Sequence, residues 1–83
     1  MGRLCELANI SKVTERKLLE VGIDSPEQLK EIGSKEAFLR IRAIDPTACI
    51  HMLYGLEGAV QGTRDKFLSP EVKENLKSFF RSL

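Results

Sequence analysis

Ser25-Pro26-Glu27-Gln28 is the plainest helix start in this chain of 83 residues, and the fold class follows from how often its device recurs. Serine can accept from an amide three positions on. Proline suits the first helical position, whose amide has no helical partner, and Gln28 completes a capping box. The same logic opens Asp45-Pro46 and Ser69-Pro70-Glu71, and serine alone supplies it at Ser11 and Ser34. Stops alternate with these starts: Gly22, Gly33 and Gly62 fall where a left-handed residue ends a helix. Reading from cap to stop predicts helices over 12–21, 26–32, 34–43, 47–61 and from 70 onward, with a short opening helix over 3–7. Strand-like alternation is nearly absent. The expected fold is all-α, a compact bundle of five to six short helices joined by loops of ordinary length, forming one domain over 1–83.

Apolar spacing supports this. In the last helix Val72, Leu76, Phe79, Phe80 and Leu83 fall on one face, with Lys73, Glu74, Lys77 and Arg81 opposite. Cys49, Met52, Leu53, Leu56 and Val60 make a stripe in the long helix. Phe38 and Ile41 do so in the fourth segment, with Ile44 just beyond. All are expected to form the core.

The composition narrows the function class. The chain is 42% hydrophobic and 30% charged, and 13 Lys and Arg against 12 Asp and Glu give a formal net charge of +1. That is too apolar and too balanced for disorder, and it lacks the basic excess of a non-specific nucleic-acid clamp. No apolar run nears the ~18–20 residues of a membrane helix, and Arg3 and Glu6 interrupt any secretory core at the start. No membrane partner and a cytoplasmic location are therefore expected. Cys5 and Cys49 have neither disulfide-framework nor zinc-site spacing, so both are expected as reduced, buried thiols.

No Ser/His/Asp or Cys/His grouping, GxxxxGK[ST] loop or GxGxxG turn is present. The expectation is a non-enzymatic protein without cofactor or metal. Two stretches carry the remaining interest. In Leu53-Tyr54-Gly55-Leu56-Glu57-Gly58-Ala59-Val60-Gln61-Gly62, two glycines inside a helix cost about 1 kcal/mol each relative to alanine, so something must compensate. His51, Gly55, Gly58 and Gly62 fall on one strip beside the Leu53/Leu56 stripe. Such a strip admits another backbone closely, either a helix crossing within the chain or a self-association face for a protein partner or homodimer.

The other stretch is Leu7-Ala8-Asn9-Ile10-Ser11-Lys12-Val13-Thr14-Glu15-Arg16-Lys17-Leu18 and onward through Gly22-Ile23. A turn enters a capped helix, which ends in Gly-Ile before a second capped helix. This layout is helix-hairpin-helix-like, and such elements hold a DNA phosphate on turn and helix amides without reading sequence. Asn9, Ser11, Lys12, Arg16 and Lys17 are the candidate phosphate contacts. The alternative is a capped helix with a mixed solvated face, since Glu15 and Glu20 leave only +1 over 11–20.

Together these residues resemble a known family, the C-terminal domain of TfoX/Sxy-type competence regulators. The matching string runs from Leu7, Asn9 and Ile10 through Thr14, Leu18, Val21-Gly22-Ile23, Leu29, Gly33, Ala37 and Arg40. It closes on the Leu53–Gly62 block, its most specific part. The resemblance implies an all-helical, helix-hairpin-helix-like bacterial domain. In longer relatives this domain follows an N-terminal α/β domain and takes part in transcription regulation of DNA uptake genes. Ser11-Lys12-Val13 stands where the family commonly has Gly-Pro-Lys, which departs from a phosphate-binding turn. Either a stand-alone relative of the domain or a trimmed piece of a longer chain is expected, with Met1 favouring the first. Two functions follow: weak, sequence-independent DNA binding within a regulatory complex, or protein interaction and homodimerisation without nucleic acid.

Overall fold

Four α-helices and a 3-10 turn before the last of them organise the described residues, Leu4, Leu7 and 9–83, in a computed structural model. Helix α1 spans Lys12–Glu20, α2 Pro26–Ile44, α3 Ile50–Gln61 and α4 Pro70–Arg81, with the 3-10 turn at Asp65–Phe67. Among the described residues there is no strand. The all-α class stands, with four α-helices among the described residues rather than the five or six expected. The segments separately expected over 26–32 and 34–43 are joined in one element, α2, but its backbone is non-helical at Gly33, where the glycine stop was expected. The opening helix expected over 3–7 falls mostly outside the described residues.

The caps explain the starts. Ser11 accepts from the Thr14 amide at 3.2 Å, Ser25 from Gln28 at 3.1 Å and Ser69 from Val72 at 3.2 Å. The box at Ser25 closes one residue early, because Gln28 Oε1 accepts from the Asp24 amide at 3.0 Å. Ser34 does not cap. It is buried, and its hydroxyl donates to Glu57 Oε1 at 2.5 Å. The break in α2 belongs instead to Gly33, whose φ of 84° and ψ of 165° interrupt the helix in a region essentially reserved for glycine.

The start of α3 also differs from expectation. Asp45-Pro46 launches no helix at 47. Asp45 Oδ1 accepts from the Thr47 amide at 3.1 Å and its hydroxyl at 2.5 Å, and the Asp45 carbonyl accepts from Ala48. Asp45 therefore forms a closed side-chain turn, and α3 begins only at Ile50 with Cys49 at its cap position. Cys49 is consequently exposed rather than buried. Cys5 lies outside the described residues.

Helix α3 is central, packing against α2, α4 and the 3-10 turn, which is why it is apolar on more than one side. Leu53 and Leu56 meet Leu18, Ile23, Leu29, Phe38, Ile41 and Leu76 in one buried cluster. Phe38 and Phe80 bring α2 and α4 together at 5.8 Å between ring centroids, and the Arg42 guanidinium lies 5.2 Å over Phe80. Ile44 and Leu83, expected in the core, are instead half exposed, Ile44 as the last residue of α2 and Leu83 just past the end of α4. The radius of gyration, 11.6 Å, matches the roughly 11.8 Å of a compact single core of this length. Among the described residues no helix is long and apolar enough to cross a membrane.

Gly33→Ala forces a side chain into the backbone region that breaks α2. The expected outcome is a stability loss of about 1–3 kcal/mol by urea unfolding, although no atom lies within 4 Å of the added carbon.

Candidate functional site

Asn9 joins the two stretches singled out in the sequence. Its backbone is left-handed, with φ 69°, a conformation that asparagine adopts more readily than most residues. The side chain then reaches across to the end of α3. Nδ2 donates to the Thr63 carbonyl at 3.0 Å and lies 3.5 Å from the Gly55 carbonyl oxygen, while Oδ1 accepts from the Asp65 amide at 3.1 Å. Gly58 leaves the room for this. A Cβ there would stand 2.4 Å from Asn9 Nδ2, 2.8 Å from the Thr63 oxygen and 3.2 Å from the Asp65 nitrogen. The close approach expected of the glycine strip is therefore made within the chain, by a loop and an asparagine rather than by a crossing helix. Gly55 and Gly58 are buried under it. His51 and Gly62, at the two ends of the strip, are exposed, with the His51 ring edge-on to Tyr54 at 6.4 Å and Gly62 closing α3 at φ 78°. The four residues do not form one continuous free face.

The candidate phosphate contacts divide similarly. Asn9 is engaged as described. Lys17 pairs with Asp45, at the far end of α2. Hydrogen bonds from Lys17 and then from the Thr47 hydroxyl and amide hold the Asp45 carboxyl down at about 2 from an ordinary 3.8. Ser11, Lys12 and Arg16 remain exposed. Lys12 and Arg16 are four residues apart and share a face of α1, with Ser11 at its cap. Val13, 64% exposed, lies between them in sequence. No group of three or more His, Cys, Asp or Glu among the described residues is placed to hold a metal.

Residues 1–80 match the family described as the TfoX C-terminal domain. The chain belongs to that family. Curated relatives of this TfoX C-terminal domain include the DNA transformation protein TfoX of Haemophilus influenzae. It is 32% identical over 76 residues, which cover 92% of this chain and 35% of that protein. Protein Sxy of Escherichia coli is 33% identical over 81 residues, 98% of this chain and 39% of that one. The chain thus spans well under half the length of either. Among solved structures, an uncharacterized protein from Listeria monocytogenes in a triclinic crystal form superposes with a TM-score of 0.97 at 51% identity, over 98% of this chain and 92% of its own. A protein of unknown function from the same organism, in a tetragonal form, gives 0.93 at 52% identity, over 95% and 98%.

Sequence reading of this TfoX C-terminal domain missed the partners that make these contacts. Thr63, Asp65 and Asp45 lie 54, 56 and 28 residues from the side chains they meet. The one local signal was Asp45-Pro46-Thr47, which carries an aspartate turn as readily as a helix cap.

Two outcomes test this geometry. Gly58→Ala is expected to cost about 1–3 kcal/mol through overpacking. Asn9→Gly, which keeps the backbone shape and deletes the bonds, is expected to cost about 1–3 kcal/mol as well. The double variant is expected to lose less than the sum in urea unfolding, because the contact with Asn9 Nδ2 goes with the side chain. Strict additivity would mean that Gly58 is not packed beneath Asn9.

The second concerns pH. Because the folded carboxyl of Asp45 titrates at about 2 rather than 3.8, its stabilisation is fully present above pH 3.8 and fades as pH falls through about 2. Urea midpoints of wild type and Asp45→Asn are therefore expected to differ at pH 5 and to converge towards pH 2.

Proposed function

We propose that this domain is a non-enzymatic regulatory module of bacterial DNA transformation that contacts DNA weakly, without reading its sequence, as part of a regulatory complex. Family membership and the name of the Haemophilus relative support the process. The observation that carries the DNA contact is the exposed N-terminal face of α1. There Ser11, Lys12 and Arg16 stand together, beside the first amides of a capped helix, where a phosphate is favoured by both dipole and hydrogen bonding. In this reading α1, the turn through Gly22-Ile23 and the first half of α2 act as a helix-hairpin-helix-like unit. Asn9 holds that unit to α3, and Lys17 fixes α1 to the end of α2 through Asp45. Both therefore position the contact rather than make it, and the phosphate-facing set narrows to Ser11, Lys12 and Arg16. With two basic residues and a net charge of +1, such a contact is weak and salt-sensitive.

A protein partner on the same face is the second reading. Val13 at 64% exposure and Leu19 at 50% favour it, since apolar side chains add nothing to phosphate binding.

Titration of a labelled duplex at low salt separates the two. Saturable binding is expected, weakening as salt rises and lost in the double variant Lys12→Glu/Arg16→Glu. Binding unaffected by that variant, or no binding at all, would remove the nucleic-acid contact and leave the protein reading of α1.

A further inference from the structure

Phe67 is an unusual residue to leave in water. Its side chain is 67% exposed, more than any other large apolar residue described, yet it does not sit on a loose loop. The 3-10 turn that carries it is tied down on both sides. Asn9 grips Thr63 and Asp65, the Thr63 amide donates to the Gly58 carbonyl at 2.8 Å, and Leu68 is buried immediately after. The ring is thus displayed in a fixed position, which lowers the ordering cost of a contact. It is flanked by basic side chains: Arg64 is exposed, and the Lys66 ammonium lies 5.3 Å over the ring.

A groove of about 500 Å³ opens where α2 breaks at Gly33, bounded by α3 and α4. Ile32, Val72 and Leu76 give it an apolar lining, and Glu57 and Glu71 give it two carboxylates against the one ammonium of Lys35. Lys35 is drawn over the Phe79 ring, 5.4 Å from its centroid. Glu57 is held in place by Ser34 at 2.5 Å and by Gln61 at 2.6 Å. The groove is therefore apolar inside and acidic at its edge, with a volume in the range of roughly 300–1,000 Å³ that takes whole small molecules.

We propose that this domain self-associates, with the Phe67 ring of one copy entering the Gly33 groove of a second copy and Arg64 and Lys66 facing Glu57 and Glu71. Knob and groove match in polarity and in charge: an aromatic ring among cations meets an apolar lining among carboxylates. Phe67 does not fill the groove of its own chain, since the ring is exposed while buried Leu68 anchors the short link to α4. Every copy carries both halves of the contact, so a two-fold pair can satisfy both at once. The contact leaves Lys12 and Arg16 of α1 out of the interface, and its readout, the oligomeric state, is taken without DNA.

Sedimentation equilibrium of the chain up to about 1 mM, the weak end of specific affinity, tests the proposal. Wild type is expected to show a concentration-dependent monomer–dimer equilibrium. Phe67→Ser, Lys66→Glu and Glu71→Lys, all at exposed positions, are each expected to weaken it by about tenfold or more. An equimolar mixture of Lys66→Glu with Glu71→Lys is expected to dimerise more strongly than either variant alone, since mixed pairs restore opposite charges at both contacts. A wild type that stays monomeric throughout, a Phe67→Ser variant that dimerises as well as wild type, or a mixture no tighter than its components would each overturn it.

Discussion

The contact on which the rest depends is the asparagine side chain lying over a glycine. Asn9 bridges the Thr63 carbonyl and the Asp65 amide, and it fits only because Gly58 carries no Cβ. Two parts of the chain remote in sequence meet there: the entry to α1, and the last turns of α3 with the loop that follows them. Backbone groups in a part-buried loop need partners as much as those in a helix, and one amide side chain, both donor and acceptor, supplies them. Glycines that weaken α3 as an isolated helix are thereby what lets the tertiary structure close around it.

Charge is handled in the same economical way. Cations and anions are nearly balanced, 13 against 12, and several are engaged within the chain: Lys17 with Asp45, Glu57 with Ser34 and Gln61, Lys35 and Arg42 over phenylalanine rings. One side of α1 shows Lys12 and Arg16, and the turn after α3 shows Arg64, Lys66 and Phe67. Function in a domain of this size rests on small surfaces, since its apolar residues are occupied by one core.

Helical character was legible because it rests on local chemistry. Ser25-Pro26, Ser69-Pro70 and Ser11 each cap the helix that follows them, and the stripes of α3 and α4 supply Leu53, Leu56 and Leu76 to the core. Legibility failed wherever a capping side chain found a better partner elsewhere. Ser34 turned to Glu57, and Asp45 turned to Lys17 and Thr47, so neither side chain caps a helix start. The candidate site was half legible. Gly58 stands out in the sequence as a glycine inside a helix and Asn9 only as a candidate phosphate contact; their common purpose does not show, because they lie 49 positions apart. Phe67 passed unnoticed among loop residues, since a single aromatic has no period.

Taken alone, the sequence determined the class of the fold, most of its boundaries and the family pattern, because caps, stops and helical stripes act over three or four residues. Only the tertiary structure decided which polar groups stay free. Whether Asn9, Lys17 or a glycine strip faces a partner depends on what approaches it from the distant parts of the chain, and residues 45, 63 and 65 had approached first.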